Sequence, residues 1–200
     1  MNKSFDSEGE SFDSELGSET DETEIISINE ESETTNLQLI KSISATLTEI
    51  FEQNSKLSNI NDIILNQNKM CFSSKSIPKI SIYDYLKRIQ QYTKIEKNIL
   101  ILSLIYIDRI CLQGKLFLTY YNIHRILFGA ILISIKYNED EFYDNKYYAE
   151  IAGIGINELN SIEYNFINLC DYKLFVSDDL FNKYNSFLNS FEKNQSLSDG

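Results

Sequence analysis

From Ile123 to Ile135 the chain reads IHRILFGAILISI, apolar at nearly every position. A helix at a protein surface carries one apolar stripe, so a helix that is apolar all round has to be enclosed by other elements. The stretch therefore predicts a buried helix over about 120–137 at the centre of the fold. Gly129, Ala130 and Ser134 are small enough there to let neighbouring backbones approach closely. No apolar run approaches the roughly 20 residues needed to cross a bilayer.

The remaining pattern supplies the enclosing elements. One Pro and seven Gly in 200 residues leave few breaks, which favours helices over a sheet of short strands. Leu37, Ile40, Ile43, Leu47, Ile50 and Phe51 recur at helical spacing and predict a helix over about 36–52. An Asn-rich connection runs to about residue 77. After Pro78, Ser81 and Asp84 fit a capping box, and Ile82, Tyr85, Leu86 and Ile89 line one face.

Thr93 and Glu96 form a second capping box, predicting a helix over 94–112 with Ile95, Ile99, Leu102, Tyr106 and Ile110 inward and Gly114 at its end. Beyond the central helix come a short helix near 146–152, a loop at Gly153 and Gly155, and a helix over 157–170 carrying Leu159, Ile162, Phe166, Ile167 and Cys170. Ser177, with Asp178 and Asp179 at the positive end of the dipole, caps a last helix over about 178–191. The expected class is all-α: five helices around a central third one, with one flanking helix at each end.

The net charge of −12 is unevenly spread. Residues 1–35 hold 12 of the 30 Asp and Glu but one of the 18 Lys and Arg, leaving 18 acids and 17 bases for the remainder. The segment SFDSE occurs twice in this stretch, at 4–8 and 11–15. So polar a composition buries too little apolar surface to offset ordering entropy, and residues 1–35 are expected to be a disordered acidic tail. Ser7 and Ser18, each followed by an acid, suit an acid-directed kinase; the plainer alternative is a solvating tail with no regulated site. The expected division is 1–35 tail, 36–76 helix and connection, 77–192 helical bundle with its C-terminal helix, and 193–200 tail.

Neither part offers the clustered positive surface that a phosphate backbone requires, so nucleic acid is not an expected partner. Cys71, Cys111 and Cys170 are odd in number and far apart, and read as reduced core thiols. The N-terminus lacks a basic-then-apolar signal pattern, so the chain is expected to be intracellular, in cytoplasm or nucleus, with no membrane partner. His124 stands apart from any Cys/His/acid cluster and reads as structural. There is no phosphate-cradling glycine loop and no nucleophile with a base, so neither a cofactor nor enzymatic activity is expected.

Five motifs in order carry a resemblance: P-x-I-S-I-x-D-Y-L-x-R-I at 78–89, Y-I-D-R at 106–109, H-R-I-L at 124–127, Y-x-N-x-x-Y-A-x-I-x-G-I at 143–154, and E-L-N-x-x-E at 158–163. Over about 72–184 the chain resembles the cyclins, specifically the single-box P/U-type cyclins similar to the phosphate-pathway cyclin. The resemblance implies a regulatory subunit that binds a cyclin-dependent kinase as a heterodimer and positions the kinase C helix for activity. The alternative is a cyclin-fold adaptor that recruits other proteins without activating a kinase.

Carried over by position, the polar kinase contacts fall on Lys136 and Glu163, and the apolar ones on Ile133, Tyr137, Ile167 and Leu174. Asp140, with Glu139 and Glu141 beside it, is the candidate to engage kinase arginines that otherwise hold an activation-loop phosphate; the alternative is a solvated acidic loop. Without the resemblance, Lys136 reads as a cation complementing a helix C-terminus. Asp108 is expected to face the interior and to need a cationic partner, either Lys79 or Arg88. Pro78, Ile82, Tyr85 and Arg88 fall where cell-cycle cyclins build an apolar docking groove flanked by an acid. An arginine in that acid's place implies repulsion of a basic-x-leucine motif.

Overall fold

The computed structural model describes residues 19–57, 62 and 71–196, with side-chain surroundings for 36–57, 62 and 71–190. Ser7, Ser18, both SFDSE segments, most of the Asn-rich connection and residues 197–200 lie outside the described residues. By its contacts the chain divides after Thr35.

Among the described residues there are seven helices and no strand: α1 (Glu19–Ser55), α2 (Ile82–Thr93), α3 (Lys97–Leu112), α4 (Ile123–Asn138), α5 (Asn145–Ala152), α6 (Ile156–Leu169) and α7 (Asp178–Ser196). Helix α1 begins inside the stretch whose composition predicts disorder. No Gly or Pro occurs between Gly17 and Pro78, Glu is a good helix former, and acids are favourable near a helix N-terminus. In the second unit, Leu39, Ile40, Ile43, Leu47 and Phe51 of α1 enter the core, and Phe51 meets Tyr120 edge-on at 4.4 Å.

Helix α4 is the enclosed one. Every residue from Ile126 to Ile135 is buried, and α3, α5 and α6 pack around it. Helix α2 packs on α5, and α7 on α3. Helices α4 and α6 approach closely at Gly129. A Cβ built on Gly129 would stand 2.9 Å from Ile162 Cγ2 and 3.2 Å from the Phe166 ring, closer than real side chains come. The missing side chain of Gly129 is what permits this distance.

Ser81 caps α2 as the sequence predicts, its hydroxyl accepting from the Asp84 N–H at 3.0 Å. The second capping box does not form. Thr93 is the last residue of α2, its hydroxyl donating to the Ile89 carbonyl, and Lys94 turns left-handed (φ 53°). Helix α3 therefore starts only at Lys97, with Glu96 as an N-cap lacking a side-chain hydrogen bond. The helical hydrogen bond available to Thr93 competes with capping, as it does for any Thr whose hydroxyl can reach back one turn.

The cysteines are free thiols; Cys170 is buried, and burial pushes it up to about 11 and Cys111 to about 12. Both are protonated and unreactive at neutral pH.

Candidate functional site

Helix α4 ends where Glu139 turns extended and donates its N–H to the Ile135 carbonyl. Lys136 sits in that last turn, where the dipole favours a cation. A loop over 139–144 leads to α5, whose N-cap Asp144 accepts from the Tyr147 N–H at 2.8 Å. This sharp return brings the first residue of α5, Asn145, beside Lys136. Helix α6, drawn close by Gly129, brings Glu163 to the same place.

The three side chains form a closed ring of charge-assisted hydrogen bonds. Lys136 Nζ donates to Glu163 Oε1 at 2.6 Å and to Asn145 Oδ1 at 2.7 Å. Asn145 Nδ2 donates to the other carboxylate oxygen, Glu163 Oε2, at 2.8 Å and to Asn160 Oδ1 at 2.7 Å. Lys136 Nζ also lies over the Phe142 ring, 5.9 Å from its centre. The Lys136 and Glu163 side chains are each 23% exposed, so the ring is surface-accessible yet largely covered.

Lys136 and Glu163 thus come together from positions 27 residues apart in sequence. The apolar set divides. Tyr137 is 53% exposed and Ile167 is partly buried. Ile133 and Leu174, at 4% and 8% exposed, pack largely into the core. An enclosed α4 gives its aliphatic positions to the interior, and the Leu174 carbonyl is tied inward by the Tyr106 hydroxyl at 2.8 Å. Exposed aromatic surface comes instead from Tyr137, Phe142 and Tyr143, with Tyr164 next to Glu163. Asp140 and Glu141 are exposed in the 139–144 loop. Sequence reading gave no role to Asn145 or Asn160, although both stand in quoted motifs, at the N of Y-x-N and of E-L-N.

Asp108 is half-buried, and its carboxylate accepts from the Tyr184 hydroxyl of α7. The expected cationic partners are elsewhere: Lys79 is exposed, and Arg88 donates Nε to the Ile151 carbonyl at 2.8 Å. A partly solvated carboxylate with a phenolic donor has no need of a buried cation. The next residue, Arg109, clamps the segment after α6 by donating to the Lys173 and Phe175 carbonyls. The Y-I-D-R motif is therefore a fastening for the 173–184 region.

Pro78, Tyr85 and Arg88 line a cleft of about 250 Å³ together with His124 and Arg125, whereas Ile82 is buried and lies outside its lining. Gly153 closes α5 at φ 71°, a conformation that favours glycine, and a Cβ there would stand a tight 3.1 Å from the Arg88 guanidinium. His124 Nε2 is 2.9 Å from the Ile80 carbonyl, and its ring meets Tyr85 edge-on at 5.1 Å. Because a carbonyl only accepts, Nε2 carries the proton. Burial holds this imidazole below its ordinary pKa.

Among the described residues no helix is long and apolar enough to cross a membrane, and no group of His, Cys, Asp and Glu is arranged to hold a metal ion.

The cyclin family model matches residues 18–174. The chain is 31% identical to PHO85 cyclin-7 of Saccharomyces cerevisiae over 98% of its own length and 74% of that protein. It is 37% identical to Cyclin-U2-1 of Arabidopsis thaliana over 56% of its length, spanning about half (51%) of that relative. To the PHO85 cyclin-like protein psl1 of Schizosaccharomyces pombe it is 32% identical over 78% of its length and 67% of that protein. With the enclosed central helix, the five motifs and these relatives in agreement, the chain belongs to the cyclin family, as a member of its P/U type.

Proposed function

We propose that this cyclin is the regulatory subunit of a cyclin-dependent protein kinase, forming a heterodimer through the C-terminal turn of α4 and the face of α6. Docking there holds the kinase C helix where the catalytic Lys–Glu ion pair forms. The protein contributes no reacting group of its own.

The observation that carries this reading is the Lys136–Glu163 pair. At 23% side-chain exposure the pair is partly buried, so the cost of desolvating both charges offsets much of what their attraction contributes to folding. The same pair covered by a partner becomes a desolvated donor and acceptor, whose disruption costs roughly 2–5 kcal/mol of binding. Lys136 uses two of its three ammonium protons within the ring, and each Glu163 oxygen accepts one hydrogen bond there, so capacity remains for a partner's backbone. Tyr137 and Ile167 supply apolar surface beside it. Asp140, exposed on the loop that follows α4, is the residue proposed to meet kinase arginines that otherwise hold an activation-loop phosphate.

The names of two relatives tie them to PHO85, which supports a partner protein in place of nucleic acid or a small molecule. The near-neutral charge of residues 36–200 agrees, since it offers no field for a phosphate backbone. Such a partner places the complex in cytoplasm or nucleus.

The test mixes the purified protein with cyclin-dependent kinases and measures association and phosphate transfer separately. Association with a rise in transfer is expected. Association without transfer supports the adaptor reading, and no association with any of them overturns the proposal.

A further inference from the structure

We infer that Asn145 is a positioning residue for partner binding, which holds Lys136 and Glu163 in a single preset arrangement. The inference rests on the proposed kinase-binding reading and goes beyond it by assigning a residue that touches both charges.

The chemistry of the ring dictates how the carboxamide lies. Lys136 can only donate and an ionised Glu163 can only accept, so Oδ1 of Asn145 faces the ammonium and Nδ2 faces the carboxylate, at 2.7 and 2.8 Å. One planar group therefore reads both charges at once. Asn160 accepts the second Nδ2 proton at 2.7 Å and thereby fixes the amide against rotation. Asp144 fixes the backbone before it by capping α5.

Lysine and glutamate are among the side chains with the most rotamer freedom to lose. A partner that met them unrestrained would have to order both, and that ordering weakens binding. With Asn145 in place the restraint exists before the partner arrives. The carboxamide also ties α4, α5 and α6 together at one point, which fixes the loop carrying Phe142.

Asn145→Asp separates positioning from a role in folding. An acid at the first residue of α5 suits the positive end of the helix dipole, so the fold loses little by it. At the ring the new carboxylate still accepts from Lys136, but it faces the Glu163 carboxylate where a donor stood.

Two readouts test the inference on the full chain. The first needs no kinase: the rate at which acetic acid N-hydroxysuccinimide ester acylates Lys136, followed by mass spectrometry against exposed Lys79 in the same sample. Asn145→Ala is expected to raise the Lys136 rate severalfold, with that of Lys79 unchanged. Equal rates in wild type and variant would overturn the inference, whatever the partner.

The second readout is affinity for a kinase that binds the wild type. Asn145→Asp and Asn145→Ala are expected to weaken it about tenfold or more with the thermal midpoint nearly unmoved. In a Lys136→Ala, Glu163→Ala background, where both charges it holds are gone, Asn145→Ala is expected to add nothing. Additive losses, or wild-type affinity in both variants, would contradict positioning. A wild type that binds no kinase removes the kinase reading and leaves the labelling result to stand on its own.

Discussion

Gly129 on α4 and Ile162 on α6 approach so closely that a Cβ on the glycine would stand 2.9 Å from the isoleucine Cγ2. Lys136 lies two turns further along the same face of α4, and Glu163 follows Ile162. The packing distance between the two helices is therefore also what brings the charged pair within 2.6 Å.

Enlarging residue 129 should force the helices apart. Gly129→Val is expected to lower stability by about 1–3 kcal/mol through overpacking. Gly129→Ala should cost less, because the gain in helix propensity, about 1 kcal/mol, offsets part of the clash. Urea unfolding of the two variants beside wild type checks both the direction and the order.

The fastening of α7 gives a second expectation. Tyr184→Phe removes the hydroxyl that donates to half-buried Asp108. A hydrogen bond to a charged group contributes about 1.5–3 kcal/mol, and a loss in that range should appear in chemical denaturation. Lys79→Ala, which removes an exposed side chain, should change stability by less than about 0.5 kcal/mol.

His124 is the protein's single histidine, so it is the one side chain whose ordinary pKa lies between pH 5.5 and 7.5. Burial, together with the nearby Arg125 charge, holds its folded-state pKa below the ordinary 6.5. Its Nδ1 is buried without a hydrogen-bond partner, so protonation would put a charge there unsatisfied. The unfolded chain then binds the proton more readily. The stability this group contributes is present above pH 6.5 and is lost as pH falls from 6.5 through the folded-state value. Thermal midpoints of wild type should fall from pH 7.5 to 5.5 more steeply than those of His124→Gln.

Asp140 stands exposed on the loop after α4. If it meets kinase arginines in place of a phosphate, Asp140→Asn should lower activity on a kinase unphosphorylated in its activation loop and spare activity on the phosphorylated form. Equal activity of variant and wild type on the unphosphorylated kinase removes that role.

Local pattern carried much of this protein. The enclosed α4 is legible because no other environment suits a helix apolar on every side, and the Ser81 cap because its partner is three residues away. What escaped reading depended on distance or competition. Tyr184 reaches Asp108 across 76 residues, and no spacing rule selects it over a lysine or an arginine. Thr93 had two hydrogen bonds open to it, and the left-handed turn at Lys94 decided between them. Lys136 and Glu163 were named through family resemblance, whereas Asn145 gained a role only when the loop over 139–144 returned it to the same spot. Ile133 and Leu174, apolar contacts by the same resemblance, lie mostly in the core, and how deep they sit depends on packing that no spacing shows.

The Lys136–Glu163 face is the expected site of kinase binding. Calorimetric titration of a cyclin-dependent kinase with wild type and with the Lys136→Ala, Glu163→Ala double variant tests it most directly. The expected result is a loss of roughly 2–5 kcal/mol of binding, about thirtyfold or more, with the variant's helical content and thermal midpoint retained. A folded double variant that binds the kinase as tightly as wild type would contradict it.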